Sequence, residues 1–297
     1  MTALPTRRDV WVGMLLYPRH TLPTAAAPVV VAAALAAHAH RFAAAPACAA
    51  FLAGWLIQLG GVIADNYHNL VRHGDDREHA DFVRALKGGV VTLRELKLTI
   101  AGCFAGAAVA GAYLLTVGGL PVLAIGLASA AAALAYSAGP FPLGDHGFGD
   151  ILFFTFFGFV SVTGAYYVQA RTISEGVVVA SLAIGALTTN ILLIDNLRDL
   201  DFDREKHERT LAVIIGPHWT RVEFVLLQVF AFCVPVWLYL QDGFGLRVLL
   251  PLLSLPYAVI VTRRVLRLRT YESLLPMTPQ QGQVLLVFSA LLAAGVA

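Results

Sequence analysis

Two short stretches of the chain gather oxygen-bearing side chains at spacings that suit catalysis. Asp195, Asp199 and Asp203 recur at i, i+4 and i+8, so on a helix they line one face, with Asp201 outside the row. An earlier stretch, Ile63-Ala64-Asp65-Asn66, matches Leu193-Ile194-Asp195-Asn196 and is followed by Asn69 and, less regularly, by Asp75 and Asp76. Carboxylates at facing helix ends repel unless something cationic sits between them. Hard oxygen ligands in this number suit Mg²⁺, which binds through a few carboxylates, substrate phosphates and water. Arg72, Arg198, Lys206 and Arg209 stand among the acids, and guanidinium groups grip phosphate oxygens in pairs. Two acidic faces with interleaved arginines, opening into an apolar bundle, describe a pocket for a lipid diphosphate. One such cluster alone reads as a solvated loop with local counterions; two in register at corresponding places read as a site.

The elements that position these residues follow from composition. The chain has 297 residues, 58% hydrophobic and 13% charged, whereas a soluble domain carries about 25% charged residues. Disorder, a fibrous repeat and a single soluble globule are thereby excluded. Apolar runs between turn residues give nine expected spans, near 22–40, 46–64, 98–117, 120–138, 151–170, 174–194, 222–241, 246–262 and 281–297, each about the length that crosses a bilayer. The expected fold is an all-α, polytopic membrane bundle forming one domain over 1–297. The two Asp-Asn starts are separated by four spans, which predicts two pseudo-repeated four-helix halves, roughly 20–140 and 150–262, followed by a last helix at 281–297.

Of the 21 Lys and Arg residues, 18 fall on the side of the N-terminus and the acid-rich loops; only Arg41, Arg171 and Arg247 fall on the other. This asymmetry predicts a multi-pass protein of the cell membrane with a cytoplasmic N-terminus, cytoplasmic active-site loops and an outside C-terminus. No removable signal peptide is evident at the N-terminus. Cys48, Cys103 and Cys233 sit in apolar runs without metal-site spacing, and His68, His73 and His79 fit no compact zinc pattern. A net charge of +2 gives no reason to expect nucleic acid as a partner. Arg263, Arg264, Arg267 and Arg269 read as a topology anchor against anionic head groups.

The stretch from Asp195 to Asp203, continuing through Arg209-Thr210-Leu211-Ala212-Val213 to Gly216, resembles the second Asp-rich motif of the UbiA superfamily of intramembrane prenyltransferases, and most closely that of its MenA branch. Tyr17-Pro18-Arg19-His20-Thr21-Leu22-Pro23 resembles the start of that branch's first helix. Tyr136-Ser137-Ala138-Gly139-Pro140 and Gly147-Phe148-Gly149-Asp150 resemble its central loop, and Gly164-Ala165-Tyr166-Tyr167-Val168-Gln169 its fifth helix. The resemblance covers about 17 to 216. It implies Mg²⁺ dependence and transfer of a prenyl group from an isoprenoid diphosphate to an aromatic, naphthoate-like acceptor within the lipid bilayer.

On this resemblance the metal would be held by Asp65, Asn69, Asp75 and Asp76 on one side and Asp195, Asp199 and Asp203 on the other. Arg19, Arg72, Arg198, Lys206, Arg209 and Ser137 would receive the diphosphate, with Asp65, Asn66, Tyr136 and Asp199 carrying the chemistry. Tyr136 reads equally as an interfacial aromatic, and Asn66 as an acceptor guide or a substitute ligand. The family's first motif usually reads Asn-Asp-x-x-Asp. Here the matching residues are Asp65, Asn66 and Asn69, Val62 replaces an earlier Asn, and His207-Glu208 replaces Gly-Lys. These changes leave a second outcome open, a terpene cyclase that quenches the cation within the prenyl chain. A third, a transporter or lipid-binding protein without chemistry, has against it that no span centre carries a charge.

Overall fold

The protein was analysed as a computed structural model that describes residues 6–16, 21–73, 85–240 and 244–297. Among the described residues the secondary structure is helical, without strands. Ten elements follow in order: α1 (Arg7–Leu16), α2 (Thr21–His38), α3 (Ala44–His73), α4 (Leu93–Gly118), α5 (Leu120–Ser137), α6 (Gly149–Ala170), α7 (Glu175–Glu205), α8 (Leu211–Leu240), α9 (Leu246–Arg267) and α10 (Tyr271–Val296). Eight of them, α3 to α10, are long and apolar enough to cross a membrane, and α2 is a shorter apolar helix. Together these account for the nine expected spans.

α7 is the central post. In its most apolar window 83% of residues are buried inside the protein, against 44% for α10 and 11% for α5. A helix apolar on every side is stable only where neighbours surround it, and Ala180, Ala183, Ile184, Ala186, Leu187, Ile191 and Ile194 give α7 that character. Small residues permit the closest approach, as expected when lipid offers no hydrophobic drive to associate. A Cβ added at Gly158 of α6 would stand 2.4 Å from the Gly185 Cα of α7. The α6 backbone widens there into a π-helical stretch, Phe154–Val160. Buried amides tie three helices together at mid-depth. Asn190 donates to Gln228 Oε1 at 2.7 Å and to the Phe224 carbonyl at 3.1 Å, and Gln281 donates to the same Gln228 oxygen at 3.1 Å.

The helices outlast the apolar runs from which their spans were expected. α3 continues past 64 to His73 and α7 past 194 to Glu205, so Asp65, Asn69 and the row from Asp195 to Asp203 ride on helix rather than loop. An apolar run ends where the chain leaves the hydrocarbon, whereas a helix ends where its backbone bonds stop. Basic residues in the last turns, such as Arg204, favour continuation. α8 breaks at Gly216, whose φ of 81° only glycine adopts at no cost, and restarts at Pro217. α9 opens as a 3₁₀ stretch over Leu246–Ser254.

α1 precedes every expected span. It packs Val10 against Leu59, Ile63 and Leu96, and Arg7 pairs with Glu95. That Glu95 also closes the capping box with Thr92 that starts α4.

Candidate active site

At the end of α7 the acids are already wired. Arg198, with a side chain only 2% exposed, donates from Nη1 to Asp195 Oδ1 at 2.7 Å; Nε and Nη2 hold the two Asp199 oxygens at 3.0 and 2.6 Å. Thr278 on α10 donates to the same Asp195 oxygen at 2.6 Å. Asp203, one turn further and buried, accepts from Thr210 at 3.1 Å. The three carboxylates that share one helical face are thus each held by a partner. Asp201, off that face, is 91% exposed and pairs with Arg204 at 3.5 Å.

The end of α3 is built differently. Asn66 is buried, Asp65 is half-buried, and Asn69 turns a buried carbonyl oxygen, Oδ1, to a place where no described group bonds it. The arginine of this helix, Arg72, reaches sideways to the loop between α5 and α6. It donates to Asp145 Oδ2 at 2.5 Å and to the Ser137 carbonyl. His68, one turn before, lies 3.3 Å from Ser137 Oγ through Nδ1. Ser137 ends α5 and is 1% exposed.

The α5–α6 loop joins the two ends. Its Asp145 carbonyl accepts from the Arg209 backbone N–H at 2.7 Å. A Cβ at Gly147, where φ is 82°, would stand 3.5 Å from the Arg209 carbonyl. Tyr136 is wedged in the same loop: a Cβ at Gly144 would approach its ring to 2.9 Å, and one at Gly149 to 3.6 Å. Glu208, in the turn after α7, is pushed up to about 7, first by burial and then by the Asp145 carboxylate; Lys206 and Arg72 pull it the other way. Groups from α3, α7 and the loop therefore share one electrostatic neighbourhood.

Lys206 closes α7 and lays its ammonium 3.7 Å from the centre of the Phe202 ring. The Arg209 side chain is exposed, and its backbone makes the tie to the loop. Arg19, Asp75 and Asp76 lie outside the described residues. Sequence reasoning missed Asp145, Thr278 and Glu208. No spacing rule joins Asp195 to a threonine 83 positions away, although a lone acid between Gly144 and His146 in a Gly/Pro-rich loop was a usable signal for Asp145.

The donor chemistry fits a hard divalent cation. Carboxylates and the Asn69 carbonyl are oxygen donors, and an orphaned buried oxygen such as Asn69 Oδ1 is the kind a cation satisfies. Among the described residues no three His, Cys, Asp or Glu side chains are gathered closely enough to hold a metal unaided. Mg²⁺, which usually takes only one or two carboxylates and fills its shell with phosphate and water, does not require such a nest.

The sequence matches the UbiA prenyltransferase family over residues 25–296. It is 33% identical over 217 residues to the 1,4-dihydroxy-2-naphthoate octaprenyltransferase of Escherichia coli (strain K12), covering 71% of this chain and 70% of that one. The Mycobacterium leprae (strain TN) protein of the same name is 29% identical over 284 residues, covering 93% and 92%. In fold, the chain is similar to a UbiA homolog from Aeropyrum pernix K1, with a TM-score of 0.69 at 19% identity, covering 93% of this chain and 98% of that one. It is likewise similar to a UbiA homolog from Archaeoglobus fulgidus bound to GPP and Mg²⁺, with a TM-score of 0.61 at 14% identity, covering 94% and 99%.

Proposed function

The chain belongs to the UbiA prenyltransferase family, and on that premise we propose that it moves a prenyl group from an isoprenoid diphosphate to a naphthoate-like aromatic acceptor, with Mg²⁺, at the cytoplasmic face of the cell membrane. One observation carries this reading. Two oxygen-rich helix ends, Asp65 with Asn69 on α3 and Asp195, Asp199 and Asp203 on α7, meet at one loop: Arg72 of α3 pairs with Asp145, whose carbonyl accepts from the Arg209 N–H just after α7, and Arg198 holds the α7 acids. The names of the Escherichia coli and Mycobacterium leprae relatives support the acceptor class.

Held by Asp65, Asn69, Asp195, Asp199 and Asp203, with Asp75 and Asp76 also in the proposed set, Mg²⁺ would supply charge neutralisation to the diphosphate as it leaves. The chain's own residues do the rest. Arg72 and Arg198 bring fixed positive charge to a part-buried site, where an anion is worth more than in water; Arg19, Lys206 and Arg209 add to it from the rim, and the Ser137 hydroxyl offers a neutral donor. The Tyr136 ring presents an electron-rich face to the allylic cation left behind. The apolar walls around α7 keep water from that cation, and Asn66 orients the acceptor carbon that attacks it.

The test is product analysis by mass spectrometry with prenyl diphosphates, with and without 1,4-dihydroxy-2-naphthoate. A prenylated ring formed only with both substrates and Mg²⁺ is expected. The same hydrocarbon or alcohol with and without acceptor would replace the transfer reading with cyclisation. Orientation is checked separately: reporters fused at the C-terminus should lie outside and those at about 205 inside, as the basic-residue asymmetry requires.

A further inference from the structure

Thr278 makes a contact that its place in a helix does not predict. A buried threonine on a helix ordinarily returns its hydroxyl to the carbonyl one turn back, as Thr163, Thr189, Thr220 and Thr262 do here. Thr278, 1% exposed in α10, instead donates across to Asp195 Oδ1 of α7 at 2.6 Å. Asp195 already has charge compensation, because Arg198 Nη1 donates to that same oxygen at 2.7 Å. The hydroxyl therefore adds little charge balance; it adds direction.

A carboxylate oxygen offers about two lone pairs, so two donors fill Oδ1. Oδ2 of the same carboxyl accepts no hydrogen bond from the described residues, and the Asp195 side chain is 21% exposed. The two donors come from different helices, one from α7 itself and one from α10, which fixes the plane of the carboxyl as well as its position. α10 is in turn fixed against α7 on both sides of Thr278. Before it, the Tyr271 ring lies 5.8 Å from the guanidinium carbon of Arg198. One turn after it, the fully buried Gln281 donates to the Leu187 carbonyl of α7 at 3.4 Å and to Gln228 Oε1 of α8 at 3.1 Å. Asp199 is held otherwise, because Arg198 takes both of its oxygens. Asp195 is thus the carboxyl of the pair with one oxygen left whole.

We propose that Thr278 is a positioning residue for metal binding: with Arg198 it occupies Oδ1 of Asp195 and so reserves Oδ2 for the divalent cation. This rests on the reading above that the α3 and α7 acids hold Mg²⁺, and it gives the last helix a part in that site that no acid motif marks. Hydrogen bonds to a ligating carboxylate orient it and raise its affinity for the metal. Without the hydroxyl, Arg198 alone leaves the carboxyl freer to turn about its Cβ–Cγ bond. The cation must then order the group as it binds, and affinity falls by what that ordering costs.

The experiment follows Mn²⁺, which suits the same oxygen ligands as Mg²⁺ and whose free-ion EPR signal reports the unbound fraction, in detergent-solubilised protein with inorganic pyrophosphate present. Thr278→Val keeps the shape and removes the hydroxyl; Thr278→Ser keeps the hydroxyl. The Mn²⁺ Kd should rise about tenfold or more in Thr278→Val and stay within about threefold of the wild type in Thr278→Ser. In turnover assays the Mg²⁺ concentration for half-maximal rate should rise in step in Thr278→Val, while the acceptor KM moves by less than about twofold. An unchanged unfolding midpoint in detergent verifies the fold, and Thr278→Ala takes the place of the valine variant should valine crowd the start of α10. Mn²⁺ held as tightly by Thr278→Val as by the wild type would overturn the proposal and leave the metal reading standing, as would a serine variant as weak as the valine one. A wild type that binds no Mn²⁺ with pyrophosphate would overturn the metal reading, and the positioning with it.

Discussion

The acid-bearing ends of α3 and α7 hold the same kinds of residue in opposite states. On α7, Arg198 turns back on its own helix and holds Asp195 and Asp199, while Thr278 donates to the same Asp195 oxygen and Thr210 to Asp203. On α3, Arg72 turns away to Asp145 of the α5–α6 loop and to the carbonyl of Ser137 at the end of α5, and Asn69 keeps a buried oxygen that no described group bonds. One end is compensated before any substrate arrives; the other spends its cation on the loop and keeps ligand capacity in hand. A carboxylate has room for about four partners, so Asp199 can bind Arg198 and still face a cation, with its charge and position already set. We read the α7 end as the fixed half of the proposed metal and diphosphate site and the α3 end as the half that completes its shell on binding.

The largest effects should come from the fixed half. EDTA should abolish turnover and Mg²⁺ restore it. Asp199→Asn should lower kcat by about a hundredfold or more, the scale of losing one preorganised charge at a reacting centre. Arg198→Ala should be worse than inactive. It strands two part-buried carboxylates, and breaking such a pair costs about 3–5 kcal/mol of stability, so the protein should unfold at lower temperature in detergent. Full activity in Asp199→Asn would remove α7 from the chemistry and reverse the contrast between the two ends.

A smaller effect is expected at the α3 end, where the negative charge stands about one helical turn from its place in the family motif. Asp65→Asn alone should lose about tenfold or more in turnover. The double change with Asn69→Asp should recover most of it, because two positions on one face of one ligand shell do not act additively. Product analysis then sharpens the comparison. Recovery with the same products means that this end tolerates relocation, whereas recovery with altered products means that it steers the cation. A single variant as active as the wild type would shift the first carboxylate to Asp75 or Asp76.

How much of this was legible beforehand follows the range of each interaction. The i, i+4, i+8 row and its arginine are local, and periodicity revealed them; the spans were legible because hydrocarbon thickness dictates their length. Arg72 with Asp145 and Asp195 with Thr278 join residues 73 and 83 positions apart on elements whose packing alone makes them neighbours. The continuation of α3 and α7 into polar sequence was hidden for another reason: hydropathy marks the membrane boundary, and these helices do not stop there. The π-helical turn at Phe154–Val160 follows from the Gly158–Gly185 approach, and neither glycine announces its partner.

Glu208 offers a test in which the joint neighbourhood of the two ends is read through pH. Its carboxyl is held up to about 7 by burial and Asp145, so the folded protein binds this proton more tightly than the unfolded chain does. The stability it contributes is complete below about pH 4.5, the ordinary glutamate value, and is lost as pH rises through about 7. Unfolding midpoints of the metal-free protein should therefore decline across that window. Glu208→Gln should flatten this decline. A decline as steep in Glu208→Gln would place the responsible group elsewhere.

The smallest effect concerns the backbone just before Glu208. His207 has φ of 60°, the left-handed region, at the position where the family motif carries glycine. A residue with a Cβ gives up about 1–2 kcal/mol there relative to its ordinary conformation, whereas glycine gives up little. The turn itself is well anchored: the His207 N–H donates to the Arg204 carbonyl at 3.1 Å and the Glu208 N–H to the Asp203 carbonyl at 2.9 Å. These bonds hold whichever residue stands at 207. His207→Gly should therefore stabilise the folded protein by something under about 1 kcal/mol, the gain in φ freedom being partly offset by glycine's larger unfolded-state entropy. His207→Ala, which keeps the Cβ and loses the imidazole, should not stabilise it. Thermal unfolding of the three proteins in one detergent is the measurement. If alanine raised the midpoint as much as glycine, the imidazole and not the backbone would be the source of strain, and the departure from the motif at 207 would have to be explained by what the ring touches.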